Sequence, residues 1–277
     1  MSSSYLLTTV SSVLPGYSFI SSIPIQRLLN ALRVADAQII ARYSVFMKGE
    51  CQHQEQRIVT IKDGAPQGTY PEPFQLPDTA EEWGDEIGFV EFSFESSDGT
   101  PVFWSKRPIS FYSMYSAPGK KSFVTDNTYK FGSPPVIDQI ARFGTFNDSH
   151  PLVHIDRASD IGCSLVLINP YQRPVVYQVL ARDGQKTKKQ KVIPMTAQRL
   201  DLSTLMPDGE SEWITPIQLT AQNRLITYIL NHALSDHRTV STVEHLDPFR
   251  ADPTHVPATQ WLRNKVGNMV RYSRRPG

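Results

Sequence analysis

The run SLVLINPYQRPVVYQVLARDG, residues 164–184, is the clearest indication of the fold class. Within it, residues 165–168 and 175–180 are apolar and rich in β-branched side chains, which is typical of strands. The Asp183-Gly184 pair that follows the second run favours a tight turn. The stretch therefore predicts two short strands, the first of them buried, each ending in a turn.

The same signals recur along most of the chain. Asp-Gly pairs and 21 prolines separate further β-branched and aromatic runs. Residues 25–37 are an exception, because their apolar positions repeat at helical spacing behind Pro24 and predict a short amphipathic helix. Many short strands with such punctuation favour antiparallel sandwiches over a sheet of alternating strands and helices. The predicted strands are 42–47, 57–61, 89–94, 165–168, 175–180 and 224–230.

Composition narrows the classes of function. The chain has 277 residues, 40% of them hydrophobic, which is enough for two domains. Its 28 Lys and Arg residues balance 27 Asp and Glu residues, so no overall field steers it onto nucleic acid. No apolar run approaches the roughly 20 residues of a membrane helix. The opening residues lack the basic stretch and cleavage site of a secretory signal, so we expect a cytoplasmic protein, with a peripheral membrane position as the alternative.

An internal repeat predicts the domain organisation. The segments 44–47 and 164–167 keep the same distance from the Asp-Gly pairs at 63–64 and 183–184, and Glu-Trp pairs follow in both halves. This indicates a duplicated sandwich. The predicted units are an N-terminal segment with the helix (1–38), a first β-sandwich (39–116), a linker rich in Pro, Gly and aromatic residues (117–151), a second β-sandwich (152–247), and a Pro-rich segment with a basic tail (248–277).

Residues 160–235 also resemble a known family. A strand ending in Asn-Pro, a strand closing on Asp-Gly, a Pro-containing strand and a short Leu-rich segment are similar to the immunoglobulin-like sandwich repeats of bacterial surface and multidomain proteins. The resemblance implies two tandem immunoglobulin-like sandwiches and says little about activity. The first unit departs from the pattern, with Lys48-Gly49 where Asn-Pro would stand. The matching residues are Asn169, Pro170, Asp183, Gly184, Pro194, Leu200, Leu202 and Leu205.

Histidines are the first place to look for chemistry. Five of the seven lie in HPLVH at 150–154 and NHALSDHRTVSTVEH at 231–245. On a strand, His154 and Asp156 would face the same side. Because no HxH or HExxH spacing occurs, ordinary loop and strand-end positions are the simpler interpretation. The alternative is a metal-dependent enzyme with ligands from His150, His154, Asp156, His232 and His237.

No nucleophilic constellation stands out. Cys163 opens a predicted buried strand, where a thiol behaves as a small apolar group. Cys51 has His53 two positions away, but its segment, KGECQHQEQ, predicts a turn. The chain lacks a G-x-S-x-G elbow and a P-loop. We therefore predict no catalytic residue and no cofactor.

Aromatic side chains are dense in VFWSKRPISFYSMY, residues 102–115. Because alternate residues of a strand point inward, core packing is the simpler interpretation of these rings. The alternative is an exposed platform that stacks on sugars. Its candidate residues are Trp104, Tyr112 and Tyr115.

The tail, WLRNKVGNMVRYSRRPG at 261–277, has an apolar stripe at helical spacing and five positive charges without an acidic residue. Such a segment suits docking onto a partner protein or an anionic membrane surface. Packing on its own domain is the alternative. The candidate partner-binding residues are Trp261, Leu262, Arg263, Lys265, Val266, Met269, Val270, Arg271, Arg274 and Arg275.

These features predict a non-catalytic interaction or scaffold subunit that docks onto a larger protein assembly, in solution or at a membrane surface. The expected partners are other protein subunits, or an anionic membrane surface, and no nucleic acid. One alternative is a glycan-binding or glycan-processing accessory protein. The other is the His/Asp metal-dependent enzyme.

Overall fold

The computed structural model describes residues 8–22, 37–62, 65–66, 74–76, 86–96, 112–126, 128–129, 150–221 and 225–246. Over these residues the chain is all-β, as predicted, with antiparallel strands and one 3₁₀ turn (Leu202–Leu205). The first ten strands are β1 (Thr8–Val13), β2 (Ser18–Ser21), β3 (Ala37–Met47), β4 (Glu50–Lys62), β5 (Ala65–Pro66), β6 (Phe74–Gln75), β7 (Gly88–Ser96), β8 (Tyr112–Ser116), β9 (Phe123–Asp126) and β10 (Thr128–Tyr129). The others are β11 (Leu152–Asp156), β12 (Ile161–Asn169), β13 (Val175–Ala181), β14 (Gln190–Val192), β15 (Thr196–Asp201), β16 (Glu212–Ala221), β17 (Ile226–Ala233) and β18 (Val240–Leu246).

Strands β1 to β10 form the first unit, which has two facing sheets. The larger sheet has the order β10-β1-β7-β3-β4-β5 and the smaller one β6-β2-β8-β9. Aromatic side chains fill the space between them: the Tyr43 and Phe74 rings are 4.6 Å apart, and Phe19 lies 6.2 Å from Phe92. Because strand side chains alternate, each sheet contributes one apolar face to this core.

Strands β11 to β18 form the second unit. Its strands follow the order β14-β13-β16-β11-β12-β17-β18, and β15 pairs with β12. Strand β16 joins two parts of this sheet, because residues 212–216 pair with β11 and residues 217–221 pair with β13. Alternate side chains, among them Leu165, Val179 and Leu219, meet in one apolar core.

The core of the first unit continues into the second unit and forms an apolar layer between them. Strand β12 is buried on both faces: Leu165 points into the second unit, whereas Val166 packs with Tyr228 against the first unit. Hydrogen bonds cross the boundary, since the Tyr228 hydroxyl donates to the Val10 carbonyl at 3.1 Å. The Tyr17 hydroxyl likewise donates to the Val240 carbonyl and accepts from its N–H. The sequence predicted a separate core in each sandwich, but the structure adds a common apolar layer between them.

Several predicted boundaries differ from the structure. Strands β1 and β2 lie in the sheets of the first unit, although the sequence assigned residues 1–38 to a segment before it. Strands β9 and β10 belong to the same sheets, although residues 117–151 were predicted to be a linker. Residues 48–56 were interpreted as a turn, but the tight turn is confined to Lys48-Gly49, and residues from Glu50 onward pair along β3.

Two further expectations concern the helix and the repeat. The predicted helix at 25–37 lies outside the described residues except for Ala37, which begins β3. The described residues hold no α-helix, and so no helix among them is long and apolar enough to cross a membrane. The repeat equated β3 with β12, and both are strands. However, β3 pairs with β4 and β7, whereas the corresponding strands β13 and β16 pair with each other and not with β12. The strand neighbours therefore do not support a duplication.

Candidate functional site

Three side chains of types that can bind a metal ion lie close together on the outer face of the β11–β16 pair. Asp156 and Glu212 are direct cross-strand partners, and His154 shares the face of Asp156 two positions away. The His154 Nε2 atom is 3.1 Å from Glu212 Oε1. One ligand atom from each side chain lies within 4.8 Å of the other two. We call His154, Asp156 and Glu212 the β11–β16 cluster.

The backbone under this cluster is held firmly. Asp156 pairs with Glu212 on one side and with Ile161 across the β11–β12 hairpin. Its Oδ1 atom accepts hydrogen bonds from the backbone N–H groups of Ala158 at 2.9 Å and Ser159 at 3.3 Å. Hydrogen bonding from the Ser159 side chain, together with these N–H groups, lowers the pKa of Asp156 from its usual value. The carboxylate is therefore charged and oriented at neutral pH.

The structure brings together only part of the predicted metal-ligand set. His154 and Asp156 share a strand face, as their spacing predicts, but His150 and His237 are exposed residues outside the cluster. The third member, Glu212, was missed as a ligand because only the cross-strand register places it beside Asp156. His232 is 4% exposed, and both of its ring nitrogens have hydrogen-bond partners. The prediction of His232 as a ligand is wrong for this reason.

His232 instead belongs to a buried polar network with Ser164 and Arg199. Its Nδ1 atom donates to the Ala233 carbonyl at 2.9 Å, so Nε2 accepts from the Ser164 hydroxyl at 2.8 Å. The Arg199 Nε–H donates to the same hydroxyl at 3.1 Å. Gly162 lies opposite His232, and a Cβ there would come within 2.6 Å of the ring. The glycine therefore makes room for the imidazole.

The Ser164–His232 pair has the spacing of a nucleophile and its base, but it is closed to substrate. Ser164 is fully buried in the centre of β12. Burial also lowers the pKa of His232, because the charged imidazolium loses its hydration. The network is therefore a buried set of hydrogen bonds between β12 and β17 with a neutral imidazole at its centre.

This depressed pKa makes stability depend on pH. Below the ordinary histidine pKa of about 6.5 the unfolded chain binds a proton that the folded chain excludes, so the free energy of unfolding falls as the pH drops from 7 to 5. Urea denaturation at the two pH values measures the difference. We expect His232→Gln to be less stable at pH 7 but to lose less stability between pH 7 and 5 than the parent chain. Equal losses would show that another group is responsible.

The aromatic candidates separate into core and surface. Tyr115 is completely buried, and its hydroxyl lies 3.0 Å from the Ser11 and Ser12 hydroxyls. Tyr115 therefore cannot stack on a sugar, which corrects its place in the proposed platform. Tyr112 is 59% exposed on the opposite face of β8. Trp104 lies outside the described residues.

The exposed Tyr112 belongs to an apolar area that we call the β8–β9 outer face. Met114 pairs with Val124 on one side and with Ile20 on the other. Val124 is 56% exposed and Met114 39%. The face is defined by Ile20, Tyr112, Met114 and Val124. It is therefore apolar across three neighbouring strands.

The remaining candidate residues are the two cysteines and the basic tail. Cys163 is buried, and burial raises the pKa of its thiol to about 12, so it is an inert core group, as expected for its strand. Cys51 is exposed on β4. The predicted partner-binding tail at 261–277 lies outside the described residues.

Comparisons with family models, with curated proteins and with solved structures found no match to this chain.

Proposed function

We propose that this protein is a non-catalytic interaction subunit that docks onto a larger protein assembly. The observation that carries the proposal is the β8–β9 outer face. Solvent-facing positions of an antiparallel sheet are ordinarily polar, but here the exposed Met114 and Val124 lie side by side, with the half-buried Ile20 next to Met114. Contiguous exposed apolar side chains on a folded protein are typical of interaction sites.

The rim of this face favours a protein partner over an anionic membrane. Ser18, Ser22 and Ser116 lie beside the apolar residues, and the Ser18 and Ser116 hydroxyls are 2.8 Å apart. The nearby Lys120 ammonium is directed to the second unit, where it donates to the Arg238 carbonyl at 2.9 Å. Asp126, the direct cross-strand partner of Tyr112, adds a carboxylate that is 42% exposed at the edge of this face. An apolar centre with a polar rim is the usual composition of a protein interface, whereas an anionic surface attracts clustered basic residues and repels a carboxylate.

The buried chemistry of the second unit also agrees with a binding role. The Ser164–His232 pair has a catalytic spacing but no access to solvent. Its hydrogen bonds support the strands that carry the shared core. We therefore assign this network to stability rather than to catalysis.

Substitution of the β8–β9 outer face tests the proposal. The partner is first identified with tagged native protein and then purified, so that a dissociation constant can be measured. We expect the double variant Met114→Lys with Val124→Lys to weaken binding at least tenfold, because two ammonium groups would have to lose their hydration in an apolar contact. Ile58→Lys is the matched control, since Ile58 is an exposed strand residue of another sheet. Equal affinities for the double variant and the parent chain would refute this docking face.

The basic tail is a second proposed contact, resting on the sequence. In the same assay, deletion of residues 261–277 should weaken association and leave the unfolding midpoint unchanged. The share contributed by the five basic residues should decrease between low and physiological salt, because exposed charges are screened. A lower midpoint with unchanged association would instead make the tail part of the folded core.

The relation to immunoglobulin-like domains is also a proposal, limited to the second unit. In that fold, the first, second, fifth and fourth strands form one sheet and the third, sixth and seventh form the other, so that the second strand pairs with the fifth and the third with the sixth. Here β12 pairs with β15, and β13 pairs with β16. Two strands depart from the pattern: β17 pairs with β12 and not with β16, and β14 pairs with β13 and not with β15. The two shared pairings support a related sandwich in which the fourth and seventh strands are altered.

A further inference from the structure

We propose that the β11–β16 cluster binds a divalent first-row transition-metal ion such as Zn²⁺. His154, Asp156 and Glu212 would supply one imidazole nitrogen and two carboxylate oxygens. This set differs from the ligands suggested by sequence spacing, because Glu212 takes the place of His150, His232 and His237.

The chemistry of the donors selects the class of ion. Imidazole nitrogen suits zinc, copper, iron and nickel, whereas calcium and magnesium prefer oxygen-only sites. Zinc sites that keep a position open for water or another ligand have three protein ligands, and His and carboxylate side chains are among them. The exposure of His154 and Glu212, 41% and 56% for their side chains, leaves room for that fourth ligand.

The charge arrangement also favours a cation. Asp156 and Glu212 stand directly opposite each other on neighbouring antiparallel strands, where two like charges are unfavourable. A bound divalent ion would offset the charges of both carboxylates.

The geometry requires a modest movement of the side chains. At the tetrahedral angle, two atoms bound to one zinc ion at about 2.0–2.2 Å each are about 3.3–3.6 Å apart. The three ligand atoms already lie within 4.8 Å of one another. Because the Asp156 carboxylate is anchored by the N–H groups of Ala158 and Ser159, rotation of the two exposed side chains would close the remaining gap.

Calorimetric titration with ZnCl₂ tests the site on the full chain after chelator treatment. We expect one ion per chain, and at least tenfold weaker binding for His154→Ala and for Glu212→Gln, since even residues that only support metal ligands change affinity by about 10- to 100-fold. Substitution of Co²⁺ should give visible absorption bands that the same two variants lose. Circular dichroism should show that both variants are folded, because the replaced side chains are exposed and contribute little to the core.

Two matched controls separate this site from other exposed groups. Glu210→Gln removes an exposed carboxylate near the cluster. His237→Ala removes an exposed histidine that the sequence suggested as a ligand but that lies outside the cluster. Both variants should bind zinc like the parent chain. The proposal is overturned if the parent chain binds no ion stoichiometrically. It is equally overturned if His154→Ala and Glu212→Gln retain the parent affinity, or if His237→Ala lowers it as much as they do.

Discussion

Replacement of Tyr228 by alanine should lower the free energy of unfolding by about 3–5 kcal/mol, the range found for other large aromatic core residues. Tyr228 is completely buried, and it lies in the apolar layer that the two units share. Its hydroxyl donates to the Val10 carbonyl in the opposite unit. The substitution therefore removes a large packed ring and a hydrogen bond between the units.

Urea denaturation followed by far-ultraviolet circular dichroism and tryptophan fluorescence measures this effect. Because the core is shared, we expect both signals to shift together. Tyr228→Phe is the control: it keeps the ring and loses the hydrogen bond, which should cost about 1 kcal/mol. A loss below about 1 kcal/mol for Tyr228→Ala would contradict the shared core, as would a shift in only one of the two signals.

Asn169→Ala should be nearly as damaging, with an expected loss of about 3 kcal/mol or more. The Asn169 amide is fully buried at the end of β12, where its Nδ2 atom lies 2.7 Å from the Arg173 carbonyl and 3.1 Å from the carbonyls of Val192 and Ile193. Its Oδ1 atom accepts from the Tyr171 N–H. Truncation leaves several of these buried backbone groups without a partner, and each costs about 1–3 kcal/mol.

Asn169→Asp distinguishes lost hydrogen bonds from lost volume. The carboxylate still accepts from Tyr171 but faces three carbonyl oxygens, so we expect it to destabilise at least as much as alanine at pH 7. Protonation turns the introduced carboxylate into a hydrogen-bond donor. The difference in unfolding free energy between Asn169→Asp and the parent chain should therefore decrease toward pH 5. If both variants unfold at the parent's midpoint in thermal denaturation, the Asn169 amide does not stabilise the segments around residues 171–173 and 192–193.

Asn169 also shows what the sequence could and could not predict. Its position after an apolar run was part of the immunoglobulin-like resemblance, but the carbonyls that it binds come from residues 173 and 192–193. Strand β12 itself was predictable, because its apolar run is long enough to be buried on both faces. The shared core was not, because an alternating pattern identifies an apolar face without identifying what covers it.

The same limit applies to strand pairing and to the candidate sites. The polar run at 50–56 has no apolar alternation, and it is a strand because β3 pairs along it. His154 and Asp156 could be placed on one face from their spacing, but Glu212 required the β11–β16 register. Tyr115 and Tyr112 lie three positions apart, on opposite faces of β8, so one packs in the core while the other reaches solvent.

Photo-crosslinking in the native cell tests whether the protein docks through the β8–β9 outer face. A photoreactive phenylalanine analogue is placed at Val124, at 56% exposure, and separately at the control position Ile58, at 65% exposure. We expect one specific protein adduct from position 124, lost when Met114→Lys is added, and no such adduct from position 58. The absence of an adduct from position 124, or the same adducts from both positions, would contradict it.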